Sequence, residues 1–177
     1  MNFFIFRNAP WNKRKRPKIK IWLTIFDLIL EITGAVAVLA IWILLLATYS
    51  KLPEIIPKHY NGLGQVDAFG DKNEIITLPV ITTILYAGMT ILSRFPHVFN
   101  YTVSITEDNA VFQYRNMARM VRCLNLGIVL FFGSMLLQTI RHAFGNAAGL
   151  GIWFIPVFLG IIVVPMIYFL VKSFMYR

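Results

Sequence analysis

Two groups of residues in this chain have types and spacings that could do chemistry. The first lies in LPEIIPKHYNGLGQVDAFGDK, residues 52–72, where His59, Asn61, Asp67 and Lys72 stand among Pro53, Pro57, Gly62, Gly64 and Gly70. His59 with Asp67 is the pairing a general acid–base needs, but neither a nucleophile nor a phosphate-cradling loop accompanies it, and no catalytic residue is assigned. Glu54, Asp67 and Asp71 could join His59 around a metal. Zinc, however, takes four protein ligands, or three and a water, and this stretch has no cysteine and no second histidine. No metal and no cofactor are expected. What remains is a ligand-binding or loop-structuring set: His59, Asn61, Gly64, Asp67, Gly70 and Lys72. On the structural side of that reading, Asn61 and Asp67 satisfy loop backbone through local side-chain bonds, with His59 packed against the loop.

The second group is ionic. Asp27 and Glu31 are four residues apart and share one face of a helix. Arg115, Arg119 and Arg122 form a stripe at spacings of four and three within residues 104–122. Carboxylates within a membrane-spanning helix are candidates for a proton relay. These two lie only at the edge of their span, which favours an inner-boundary ion network of Asp27, Glu31, Arg115, Arg119 and Arg122, with the acids meeting Arg119 and Arg122. Lipid phosphate is the other partner open to the arginines.

The elements that hold both groups follow from composition. Hydrophobic residues make up 58% of the 177 and charged residues 14%, far from soluble averages of roughly 45–50% and about 25%. Residues 32–50, 75–93, 123–140 and 142–171 carry no formal charge with His142 neutral. A hydrocarbon core of roughly 30 Å takes about 20 apolar helical residues, and backbone in lipid must pair within its own segment. The expected fold is an all-α membrane protein with four transmembrane helices, at about 24–50, 75–93, 123–141 and 151–171 of a 21–172 domain. A folded extracytoplasmic loop at 51–74 separates helices 1 and 2. Helix 3 has a cytoplasmic extension within 94–122, and residues 173–177 form a tail. The N-terminal segment, residues 1–20, is basic and has no cleavage site of the signal-peptide kind. The lone Cys123 is assigned to packing.

Charge sets the orientation. With both termini inside, 13 Lys and Arg fall on the cytoplasmic side and 4 outside, the bias that marks cytoplasmic loops. The chain is therefore expected as a multi-pass membrane protein with cytoplasmic termini. KRKRPKIK at 13–20 reads as a juxtamembrane cluster held by anionic lipid, with Trp11 and FFIF at 3–6 suited to the interface, and not as a nucleic-acid patch.

Local signals add detail. Ser104 with Glu107 has capping-box spacing, and Thr106 is the other candidate cap for helix 3. Pro79 falls in a first helical turn, where proline is harmless. Pro165 sits mid-span, where it should kink the helix and free the carbonyl of Ile161. Between Pro57 and Asn61 side chains alternate, so His59 and Asn61 point one way and Lys58 and Tyr60 the other. Asn61-Gly62 predicts a hairpin turn.

The pattern Leu52-Pro53-x-x-Ile56-Pro57-x-His59-x-Asn61-x-x-Gly64-x-x-Asp67-x-x-Gly70-x-Lys72, with Asn100-Tyr101 and Ile105-Thr106-x-x-Asn109-x-x-x-Gln113-Tyr114, resembles a family of small bacterial membrane proteins. It is a domain of unknown function found in the N-terminal half of the SdpI toxin-immunity protein. The resemblance implies an all-helical protein of a bacterial inner membrane, and sensing, signalling or immunity by recognition of an extracytoplasmic peptide or envelope component, with a cytoplasmic regulator as a second partner. With four spans expected, the chain is also expected to lack the additional membrane half of the immunity protein. Two other functions stay open: a small proton-coupled transporter using Asp27 and Glu31, and a membrane enzyme with His59 and Asp67 at the outer face. The sequence sets no oligomeric state.

Overall fold

The computed structural model describes residues 16–177. The basic residues Arg7, Lys13, Arg14 and Lys15, Trp11 and the FFIF stretch lie outside the described residues. Among the described residues are four α-helices, α1 (Ile25–Thr48), α2 (Thr77–Leu92), α3 (Ala110–Ala143) and α4 (Phe154–Met175), and two strands, β1 (Ile55–Tyr60) and β2 (Val66–Asp71). Four helical stretches are long and apolar enough to cross a bilayer, so the chain is a multi-pass membrane protein. The strands pair antiparallel as a hairpin between α1 and α2, a β element within an otherwise helical fold.

α1 starts where Thr24 caps it. The Thr24 hydroxyl accepts from the Asp27 N–H at 3.4 Å, and the Asp27 carboxylate accepts from the Thr24 N–H at 2.9 Å, a reciprocal box that satisfies two orphan donors. Val38, Ile41 and Leu45 then recur at helical spacing on the buried face, while Ile32, Val36, Leu39, Ile43 and Leu46 are exposed. In a bilayer those outward side chains meet acyl chains, so burial from water does not drive the helices together. Close packing and polar contacts do.

α3 is the hub. α1, α2 and α4 each pack on it, and α1 and α2 also touch one another. Small residues allow close approach. A Cβ on Gly133 would lie 3.0 Å from Ile41 Cδ1, and one on Gly127 3.0 Å from Ile161 Cγ2 of α4. Polar side chains join the helices at depth. Asn125 donates to the Tyr86 carbonyl at 3.1 Å, Tyr86 donates to the Glu31 carbonyl at 2.7 Å, and Trp42 donates to Thr83 at 3.0 Å. α4 is held at its end by α3. Gln113 donates to the carbonyls of Ser173 and Tyr176, both at 2.9 Å, and accepts from the Ser173 hydroxyl at 2.6 Å. Those carbonyls belong to the last turn, which has no intrahelical partner for them. Asn116 adds a bond to the Phe169 carbonyl at 2.8 Å. α4 continues through Pro165 as one helix.

The start of α3 differs from the Ser104–Glu107 box. Thr106 and Asn109 exchange bonds instead, Thr106 N–H to the Asn109 side chain at 3.0 Å and Asn109 N–H to the Thr106 hydroxyl at 3.3 Å. The helix follows from Ala110. Asn109 wins because its amide also donates to the Ser104 carbonyl at 3.0 Å, something a Glu107 carboxylate cannot do. A second small core forms beside it, where Tyr101, Ala110, Tyr114 and Met117 are buried with Ile19, Ile21 and Phe99 packed on them.

Candidate functional site

The hairpin is seated on the bundle. Leu52, Ile56 and Ile75 are buried in the same core as Val38, Leu45, Leu136 and Ile140. Tyr60 bonds the Thr139 hydroxyl of α3 at 2.8 Å, and burial raises its phenol above the ordinary 10.0. Asn61 builds the turn. Its side-chain oxygen accepts from the N–H groups of Leu63 at 2.9 Å and Gln65 at 3.1 Å, and its carbonyl accepts from Gly64 N–H at 2.9 Å. Five residues, 61–65, thus connect the strands in place of a two-residue Asn-Gly turn. The glycine in left-handed conformation is Gly64, at φ 74°, and not Gly62. Gly64 also lies against the α3–α4 connection. Its carbonyl accepts from Leu150 N–H at 2.7 Å, and a Cβ there would stand 2.5 Å from the Gly151 oxygen.

The other sequence-singled loop residues separate by what they touch. Gly70 leaves room for the Lys58–Glu74 ion pair of 3.4 Å, since a Cβ would meet Lys58 Cδ at 2.5 Å. Lys72 pairs with Glu54 at 2.7 Å. Asp71 caps the turn leading into α2 by accepting from Asn73 N–H at 2.7 Å. His59 and Asp67 are different. Their strands run in a register that pairs Pro57 with Phe69 and Tyr60 with Val66, broken only around His59, whose Cα partner is Ala68. His59 Nδ1 lies 2.6 Å from an Asp67 oxygen, with the side chains 66% and 42% exposed. His59 is therefore not packed against the loop as expected, because its neighbours on that face leave it open. An irregular ladder often re-aims a side chain in this way. Phe69 is exposed nearby, 6.2 Å ring to ring from His142 at the end of α3.

At the opposite end of the bundle Asp27 and Glu31 meet arginines of α3. Arg119 Nε donates to Asp27 at 3.0 Å and its Nη2 to the Thr24 hydroxyl at 2.9 Å, while Arg122 Nε donates to Glu31 at 2.7 Å and lies 3.8 Å from Asp27 through Nη1. Asp27 is 1% exposed and Arg122 6%. Arg94, which sequence reasoning counted only toward orientation, closes on Glu31 at 2.5 Å. The signal for it was its place one turn past α2, at the depth of Glu31. Arg115 does not join. Its Nε is buried, with no hydrogen-bond partner among the described residues. Among the described residues no group of three or more His, Cys, Asp or Glu is placed to hold a metal.

Residues 36–83, from mid-α1 through the hairpin into α2, match the family model of a domain of unknown function, DUF1648. An uncharacterized protein of Archaeoglobus fulgidus is 33% identical over 73 residues, which is 37% of this chain and 40% of that protein's length. No solved structure matches.

Proposed function

We propose that this protein is a membrane-embedded recognition module that binds an extracytoplasmic peptide or envelope component at the His59–Asp67 face of its hairpin. The observation that carries this reading is the division of labour in the hairpin. Asn61, Gly64, Gly70 and Lys72 are each occupied by turn, docking or ion-pair contacts. His59 and Asp67 are exposed and engage only one another. A hydrogen-bonded, exposed pair beside the apolar Phe69 ring and the His142 imidazole, on a hairpin fixed to its scaffold, suits binding of a ligand with both polar and apolar groups. The positive-inside bias supports this face lying outside and the termini in the cytoplasm, and the resemblance supports a bacterial inner membrane. The resemblance of the 52–72 motif to the SdpI N-terminal half supports a peptide ligand and a sensing or immunity role, with a cytoplasmic regulator meeting the 94–122 segment.

Asp27 and Glu31 serve this reading as structural anchors. Both are held by guanidinium groups, which fixes them in place, whereas a proton carrier must exchange between partners. Among the described residues His59 and Asp67 hydrogen-bond each other and no nucleophilic side chain, whereas covalent catalysis sets its base beside a nucleophile.

A photo-reactive residue at Phe69, in intact cells, tests recognition. The expected result is one discrete peptide or envelope adduct, lost in Asp67→Asn and His59→Ala. Adducts to bulk lipid alone, or an adduct indifferent to both substitutions, refute it. Labelling of His59→Cys in a Cys123→Ala background by an impermeant maleimide checks the side independently.

A further inference from the structure

The ionic end of the bundle contains more positive charge than its own carboxylates neutralise. Lys20, Arg94, Arg115, Arg119 and Arg122 converge there, and the acidic side chains among them are Asp27 and Glu31. Asp27 is committed to Arg119, Arg122 and Thr24, and Glu31 to Arg94 and Arg122. Among the described residues Arg115 has none: its Nε makes no hydrogen bond, and its side chain lines the space beside these groups. A buried guanidinium N–H left unmade costs about 1–3 kcal/mol or more.

Beside it is a cavity of about 290 Å³ lined by Lys20, Trp22, Asp27, Arg94, Arg115 and Arg122, among others. Its floor is built of buried Asp27, Ser93, Ala118 and Arg122, and its rim of exposed Lys20, Trp22 and Arg94. The Lys20 ammonium sits 4.1 Å over the Trp22 ring, an arrangement suited to headgroup depth, where tryptophan collects. Depth agrees. From Ala143 back to Arg122, α3 covers roughly 30 Å at 1.5 Å per residue, so Arg122 reaches the edge of the hydrocarbon and Arg115 lies about 10 Å beyond.

We infer that this cavity is a binding site for a phosphate group, with Arg115 and Lys20 as its primary donors and Arg94 at the rim. A phosphate oxygen is the acceptor that a planar guanidinium fork takes best, and basic pockets between helices at this depth hold anionic headgroups. The site lies at the opposite end of the bundle from the hairpin and does not depend on what the hairpin binds.

The test uses the purified full chain in detergent, by native mass spectrometry with phosphatidylglycerol and phosphatidylcholine, and by thermal shift with inorganic phosphate or glycerol 3-phosphate. The expected result is retention of phosphatidylglycerol over phosphatidylcholine, weakened about tenfold in Arg115→Gln and unchanged in Lys18→Gln, which removes an exposed charge at the same end. Ala118→Leu keeps every charge but fills the cavity, and it too should abolish the preference; it covers the case of Arg115→Gln failing to fold. Soluble phosphate that stabilises with the same Arg115 and Ala118 dependence, without lipid preference, keeps the site and assigns it to a soluble ligand. Equal binding of both lipids with no response to phosphate, or equal weakening by Lys18→Gln, overturns it.

Discussion

Replacing Gly64 by alanine should unseat the hairpin tip. Gly64 has φ 74° and a Cβ position 2.5 Å from the Gly151 oxygen. An L-residue in that backbone region costs about 1–2 kcal/mol. The contact with Gly151 is backbone on backbone, so no rotamer relieves it, and the α3–α4 connection must move away. That breaks the 2.7 Å bond from Leu150 N–H to the Gly64 carbonyl, worth about 1 kcal/mol. Together these predict a loss of about 2–3 kcal/mol. Gly62, two residues earlier, supplies the control. Its φ is not positive and nothing lies within 4 Å of a Cβ there, so Gly62→Ala should be neutral or stabilising by up to about 1 kcal/mol. Equilibrium unfolding in mixed detergent micelles gives both values. Hydrogen exchange at Leu150 N–H reads the tip directly and should accelerate in Gly64→Ala alone. Equal effects of the two substitutions, or unchanged exchange at Leu150, would refute the docking argument.

Three further perturbations follow. Asp27→Asn keeps a carbonyl for the Thr24 cap but leaves Arg119 and Arg122 short of a carboxylate at a buried position, and should cost about 3–5 kcal/mol in the same unfolding assay. Reversing Asp27 and Arg119 together should not restore stability, because a guanidinium at 27 cannot accept from Thr24. Gln113→Ala strips partners from the Ser173 and Tyr176 carbonyls and from the Ser173 hydroxyl, a loss of about 1–3 kcal/mol, with faster exchange at the end of α4. Tyr60 gives a pH signature. Burial raises its folded pKa above 10.0, so the unfolded phenol ionises first and stability falls as pH rises past about 10. Tyr60→Phe should lose the Thr139 bond, about 1 kcal/mol at neutral pH, and flatten that alkaline decline in unfolding measured across pH 8–11.

The helices were legible because lipid demands charge-free runs of fixed length: 32–50 falls inside the helical stretch at Ile25–Lys51, and 75–93 matches the stretch at Lys72–Leu92 to within its last residue. The meeting of α1 and α3 was legible from charge: acids four apart on one edge and arginines four and three apart on another have few other partners in a membrane. What the sequence concealed was geometric. Asn61-Gly62 carries a hairpin signal, yet the strained position is Gly64, because the need for glycine comes from Gly151, far along the chain. Asp27 was visible as an ion-pair partner but its second role was not weighed, although Thr24-x-x-Asp27 has capping-box spacing. Arg115 shares a helical stripe with Arg119 and Arg122, and only three-dimensional packing shows that no acid reaches it. Even the openness of His59 and Asp67 depends on which hairpin face the bundle covers, a choice made by Ile56 and Tyr60.

One uninterrupted helix, α3, carries Thr139 under the hairpin and Arg119 at the ionic end, 20 residues and about 30 Å apart. It behaves as a strut between the two membrane faces. No hinge glycine or proline stands between those two contacts except Gly127 and Gly133, both wedged against neighbouring helices. Displacing one end against the other therefore requires α3 to shift as a body against α1, α2 and α4, which pack along it.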